Sequence, residues 1–160
     1  MKLVVLVLED EPDVREALER DLEPLAAHVR VEPAQDVPDA RAVIAEVAAD
    51  GDLLAVVLAD HRLPGTSGVD FLVELAGAEE TAHVATVLVT GQADQADTIR
   101  AVNEAGLDHY VAKPWDAEEL RRVVREQLTN VVERTQVDPL PHLAVLDQVR
   151  AMELVRRRSG

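Results

Sequence analysis

Glu9, Asp10 and Glu11 follow directly on an aliphatic stretch, Asp60 and Thr90 stand at the ends of two further apolar runs, and Lys113 ends a mixed one. Carboxylates brought together are costly to hold unless positive charge lies among them. A hard divalent cation supplies it: magnesium takes an octahedral shell of carboxylate, carbonyl and water oxygens and leaves positions for phosphate oxygens. Two acids of the first cluster together with Asp60 match that demand. A cation beside Asp60 also screens the repulsion between this carboxylate and an incoming phosphoryl group, the main obstacle to an aspartyl phosphate. Asp60 is therefore a candidate nucleophile. The negative charge of a phosphoryl group in transfer needs donors on its other oxygens, and Thr90 offers a hydroxyl while Lys113 offers a compact cation. Lys113 is also rare of its kind, since the only other lysine among 16 Lys and Arg residues is Lys2.

Each residue has an ordinary reading as well. The three acids could cap a helix N-terminus, Asp60 could form a turn ahead of Pro64-Gly65, and Thr90-Gly91 could be a strand exit. Lys113 could snorkel to solvent, and Tyr110 could be a packed edge aromatic. Taken singly, these readings suffice. Taken together, at the ends of successive apolar runs, the residues describe one site.

The residues can meet only if the runs before them are neighbouring strands. Leu3–Leu8 and Leu53–Ala59 are continuous aliphatic runs and Val84–Val89 is aliphatic but for Thr86, as expected of strands covered on both faces. His28–Glu32 alternates and Leu107–Ala112 is mixed, which suits sheet edges. Between the runs lie helical segments, the first from Pro12, the second from Pro38 and the third through Leu72 and Leu75. The fourth has Ile99 and Val102 as its only large apolar residues, so it is expected to be loosely held. The last carries Leu120, Val124, Leu128 and Val131. Five strand–helix units predict an α/β, flavodoxin-like, doubly wound (βα)5 domain with a five-stranded parallel sheet in the order 2-1-3-4-5. The switch point of that order falls between strands 1 and 3, where the acids are.

With 160 residues, 48% hydrophobic and 29% charged, the chain has the makings of one core and is too apolar to be mainly disordered. Its net charge of −15 has the wrong sign for covering a phosphate backbone or an anionic membrane. The absence of cysteine removes disulfides and thiolate chemistry, and points to the cytoplasm. No apolar run near the start is long enough for a membrane span.

The segments Leu8-Glu9-Asp10-Glu11-Pro12, Leu58-Ala59-Asp60-His61-Arg62-Leu63-Pro64-Gly65, Val89-Thr90-Gly91 and Tyr110-Val111-Ala112-Lys113-Pro114 closely resemble, in order and spacing, the receiver domains of two-component response regulators. The resemblance covers about residues 1–130. It implies that Asp60 accepts phosphate from a phosphohistidine and that Asp10, Asp60 and the backbone carbonyl of Arg62 bind Mg2+, with Glu9 acting through metal-bound water. It further implies that Lys113 contacts the phosphoryl group, that Thr90 and Tyr110 are the switch pair, and that a cis peptide precedes Pro114. Such a domain is a signalling module that catalyses only its own phosphorylation and dephosphorylation. Its partners would be a histidine kinase or phosphotransfer protein, with a second copy as an alternative, met through the fourth helix, fifth strand and fifth helix or through the C-terminal helix. No nucleic-acid or membrane partner is expected. None of the five histidines has metal-ligand spacing, though His61, beside the phospho-acceptor, could bear on phosphoryl lifetime. Two readings compete: a receiver fold used as a constitutive interaction module, and a magnesium phosphohydrolase with an aspartate nucleophile. The haloacid dehalogenase type of the latter places an acid two residues after the nucleophile, where this chain has Arg62.

Residues 131–160 form a C-terminal helical extension, serving docking, dimerisation or the start of an output region. The fifth helix is expected to continue through Arg134, and Asp138-Pro139-Leu140-Pro141 to break it. His142–Arg158 then reads as one helix with Val145, Val149 and Met152 on one face and Leu143 and Leu154 on the other. From Arg150 on, four arginines face a single Glu153, so the tail is locally basic.

Overall fold

The structure, a computed structural model, describes residues 1–91 and 95–160. β1 (Leu3–Leu8), β2 (Arg30–Ala34), β3 (Leu53–Ala59), β4 (Ala85–Thr90) and β5 (His109–Ala112) form one parallel sheet in the order β2-β1-β3-β4-β5. The expected flavodoxin-like topology is what the chain adopts. β1 is buried along its whole length because both faces are covered. Leu3, Val5 and Val7 point to the side of α1 (Pro12–Leu22) and α5 (Ala117–Thr135). Val4, Leu6 and Leu8 point to the side of α2 (Val37–Ala49), α3 (Gly68–Gly77) and α4 (Gln95–Ala105). This alternation splits the interior into two cores on either face of the sheet and leaves the strand ends free to carry polar groups.

β2 lies two residues later than the alternation at His28 suggests and contains Pro33. A proline lacks the donor an inner strand needs, but on an edge strand that donor would face away from the sheet. β5 likewise starts at His109 rather than Leu107. α4 departs from expectation in which side chains it buries: Ala101 and Ala105 are covered, whereas Ile99 and Val102 are 50% and 52% exposed. The larger residues face outward, so α4 meets its neighbours through the smallest apolar side chains it has.

The C-terminal segment is not one helix. A 3-10 helix over Leu140–Val145 is followed by α6 (Gln148–Ser159). Leu146 is extended between them, and the Asp147 side chain accepts from Arg150 N to cap α6. Val145 and Leu146 are both buried, and the extended backbone at Leu146 is what parts the two helices there. The expected stripe of Val145, Val149 and Met152 is thereby broken, and Val149 is 74% exposed. α5 does run past Leu128 to Thr135, ending at Gln136 in the left-handed region, φ 63°. Along the added turns Val131 and Val132 join Val145, Leu146 and Ala151 in the α1/α5 core. Thr129, fully buried in α5, donates to Arg125 O at 2.7 Å and accepts from Asp147 N at 2.9 Å. Arg150 bridges Asn130 Oδ1 and Glu133 Oε2, both at 2.8 Å. Among the described residues no helix is long and apolar enough to cross a membrane.

Candidate functional site

The sheet's hydrogen bonding runs on beyond the strands and sets the site. Glu9 N donates to Ala34 O at 3.0 Å, Asp60 N to Leu8 O at 3.0 Å, and Lys113 N to Thr90 O at 3.4 Å. Each bond ties the first residue after one strand to the last residue of its neighbour, so that the polar groups ending four apolar runs are held side by side. A cleft of ≈ 430 Å³ opens above them, bordered by Asp10, Asp60, Arg62, Thr90, Gly91 and Lys113 among others.

Carboxylate oxygens of Glu9, Asp10 and Asp60 lie within 4.8 Å of one another. Lys113 Nζ donates to Glu9 Oε1 at 2.7 Å and stands 3.4 Å from Asp60 Oδ2. Glu9 and Asp60 are buried, at 1% and 6% exposure, and Asp10 is the least covered of the three acids. Burial pushes the Glu9 carboxyl up to about 7; its Lys113 hydrogen bond opposes the rise and nearby Asp60 reinforces it. For Lys113, burial alone favours the neutral amine, but the bond to Glu9 and the charge of Asp60 outweigh it and hold the ammonium above its ordinary value. The second Glu9 oxygen, Oε2, is buried with no hydrogen-bond partner. An orphaned carboxylate oxygen among further acids is what a hard cation would satisfy, so the donor set fits Mg2+.

Capping does not account for the acids. Glu11 occupies the N-cap of α1, yet its side chain makes no capping hydrogen bond. The other expected residues fall in or beside the same cleft. Thr90 is buried at its edge, and its carbonyl accepts from the Tyr110 hydroxyl at 3.0 Å; Tyr110 itself is 37% exposed on β5. The peptide bond between Lys113 and Pro114 is cis.

Three supports had no signal in residue type and spacing. Arg15 reaches back from α1 to bond Glu9 O at 2.8 Å. Gly68 seats the N-terminus of α3 so near the loop after β3 that a Cβ there would lie 1.9 Å from Asp60 O, a close approach only glycine permits. Trp115 donates from Nε1 to Asp21 Oδ2 at 2.8 Å and so ties the loop after Lys113 to α1. The first of these would have needed the helix orientation and the others the loop paths, neither of which periodicity reveals.

The chain matches the model of the response regulator receiver domain over residues 5–125. It is 32% identical over 156 residues to the hydrogenase transcriptional regulatory protein HoxA of Cupriavidus necator, covering 98% of this chain and 30% of that protein. It is 38% identical over 116 residues to the transcriptional regulatory protein AruR of Pseudomonas aeruginosa, covering 72% and 45%. The chain thus spans less than half the length of either relative. Among solved structures, a CheY-like response regulator receiver domain protein from Methanospirillum hungatei superposes with a TM-score of 0.71 at 22% identity, covering 84% of this chain and 99% of that one; at such identity the likeness speaks for the fold. A receiver domain protein from Clostridium thermocellum gives a TM-score of 0.67 at 26% identity, covering 84% and 97%. With the family model matched across all five strands and the acidic cleft at their ends, the chain belongs to the response regulator receiver domains.

Proposed function

We propose that the chain accepts a phosphoryl group on Asp60 from the phosphohistidine of a histidine kinase or phosphotransfer protein, in a Mg2+-dependent reaction, and answers by changing its interaction surface. A carboxylate oxygen of Asp60 would attack phosphorus as the bond from phosphorus to the imidazole nitrogen breaks, the imidazole leaving with the electron pair and taking a proton. The observation that carries this reading is the meeting of three carboxylates within 4.8 Å with Lys113 in contact with two of them. Glu9, Asp10, Asp60 and the Arg62 carbonyl are the groups that would hold Mg2+, with Glu9 acting through its water. Bound there, the ion would offset the negative charge of acceptor and phosphoryl oxygens. Lys113 supplies a fixed positive charge to an incoming phosphoryl oxygen, and Thr90 a hydroxyl to another. Tyr110, bonded to the Thr90 carbonyl, is the companion of Thr90 in the switch.

The chain acts as a signalling module and turns over nothing but its own aspartyl phosphate. The transcriptional role in the names of HoxA and AruR belongs to those longer proteins. On this chain the charge of −15 argues against contact with nucleic acid, and its partners are the phosphoryl donor and a protein or second copy reading the altered face. We place the receiver within residues 1–130 and its helical extension in residues 131–160.

Treatment with a small phosphoryl donor and Mg2+ is expected to add one phosphate, seen by intact mass, which vanishes in Asp60→Asn and when Mg2+ is chelated. Undiminished labelling of Asp60→Asn would remove Asp60 from the reaction. Continuous phosphate release from small phosphomonoesters would instead favour a phosphohydrolase.

A further inference from the structure

α4 is fastened to the molecule with little apolar help. Among the described residues, the side chains it buries are Ala101 and Ala105, which remove far less apolar surface from water than leucine or isoleucine would. Polar ties supplement them, among them two that reach other elements. Arg100 of α4 pairs with Asp70 of α3 at 2.6 Å, and Asp97, in the first turn of α4, pairs with His61 Nε2 at 3.1 Å.

The second tie differs from the first in where its other end stands. His61 is the residue between Asp60 and Arg62, and both of those border the acidic cleft. Its side chain is 16% exposed, and Nδ1 is buried with no hydrogen-bond partner. A carboxylate only accepts, so the proton facing Asp97 sits on Nε2 and the ring is oriented by that one contact. Behind the ring the loop has little freedom: His61 O accepts from Gly68 N at 2.9 Å, and α3 is seated directly against Asp60 O at Gly68.

We propose that His61 is a positioning residue that couples the acceptor loop to α4: a displacement of Asp60 or Arg62 carries the intervening His61 with it, and the ring's bond to Asp97 passes the displacement to the first turn of α4. The inference rests on the assignment of Asp60 as phospho-acceptor. It supplies a route separate from the contact between Tyr110 and Thr90, which leads to β5. Because the buried side chains of α4 among the described residues are alanines, a polar contact at its first turn bears directly on how the helix is held, and the coupling is carried by a named contact rather than by proximity.

Hydrogen exchange of the full chain tests this, first without ligand and then with beryllofluoride and Mg2+ as the phosphoryl mimic. Without ligand, Asp97→Ala and His61→Leu should each speed exchange of the α4 amides about two- to fivefold, the size expected for the loss of one part-exposed polar contact. The double variant should be no faster than the quicker single one, and Asp97→Asn, which keeps an acceptor, should restore much of the protection. With the mimic, the change at α4 seen in the natural chain should shrink in Asp97→Ala while the change at β5 persists; a merely structural contact would leave the α4 response intact. Additive effects, unaltered α4 exchange in the single variants, or a full α4 response in Asp97→Ala would each overturn the link. Failure of the natural chain itself to respond to the mimic would count against the phospho-acceptor reading, and the ligand-free comparison, which needs no phosphoryl group, would then decide the link alone.

Discussion

The surroundings of Asp60, at the end of β3, are fitted to it from two sides. Lys113 offsets the charge of Glu9 and Asp60 at 2.7 and 3.4 Å, while Gly68 lets α3 close over the backbone of Asp60. Gly68→Ala would drive a Cβ to 1.9 Å from Asp60 O, and neither partner is the free end of a flexible side chain, so helix and loop must separate. The expected cost is about 1–3 kcal/mol, as for other overpacked sites, read as a lowered urea midpoint. Mg2+ affinity should fall with it, followed through the fluorescence of Trp115, the only tryptophan; full stability and affinity in this variant would show that the loop yields freely. Lys113→Ala should act differently, leaving Glu9 buried without its bonded cation. Its carboxyl, already raised to about 7 by burial, then loses the neighbour that opposes the rise. Phosphorylation by a small donor should slow by about 10- to 100-fold or more, in line with losing one charge-stabilising donor, and an unchanged rate would deny Lys113 its contact with the phosphoryl group.

Elements that bury continuous aliphatic surface were legible from their residues alone. β1, β3 and β4 are such runs, and since the site residues are the first polar groups after them, most of the site was legible by the same route. What the sequence concealed depends on small residues and on chain direction. Ile99 and Val102 drew attention in α4 although Ala101 and Ala105 make the contact, because periodicity weighs large side chains and says nothing of which face meets the sheet. Periodicity joins Val145 and Leu146 to one helix with Val149 because a break held by the N-cap Asp147 and the buried Thr129 hydroxyl has no periodic signature. That break is testable. Thr129→Val removes the acceptor of Asp147 N inside the core and should cost about 1–3 kcal/mol, the penalty of an unsatisfied buried donor; equal denaturation midpoints would mean that the bond contributes nothing. The 3-10 helix beside it carries a pH dependence. His142 is 4% exposed, and its pKa is lowered by burial first and by the positive amino terminus second, with Asp138 opposing. The folded value lies below the unfolded value near 6.5, so the unfolded chain binds the proton more readily. The contribution of His142 is complete above that value and is lost as pH falls toward the folded pKa. His142→Gln should therefore flatten the stability difference between pH 7.5 and pH 5.5, measured by thermal melting; an undiminished difference would assign the dependence to other groups.

The whole molecule has one receiver sheet, two cores and a C-terminal segment that is built into one of them. The receiver family match ends at residue 125, yet α5 continues to Thr135 and the core on its side includes Val131, Val132, Val145, Leu146 and Ala151. Thr129, Asn130 and Glu133 on α5 are in turn bonded by Asp147 and Arg150 of the segment. A chain ended at residue 130 would remove the buried valines and Leu146, each contributing about 1.5–3 kcal/mol when fully covered, and would strip Thr129 of its partner inside newly wetted surface. Domain stabilities of roughly 5–15 kcal/mol leave little room for such a loss. The shortened chain is therefore expected to unfold at a distinctly lower urea concentration than the 160-residue chain. Its acidic cleft lies at the strand ends, away from the missing segment, so whatever fraction remains folded should still take up Mg2+, measured by Trp115 fluorescence in the absence of urea. Identical midpoints for the two lengths would show that residues 131–160 lie on a finished domain without supporting it. A lower midpoint with retained Mg2+ uptake would instead set the working limit of this receiver well beyond the limit of its family match.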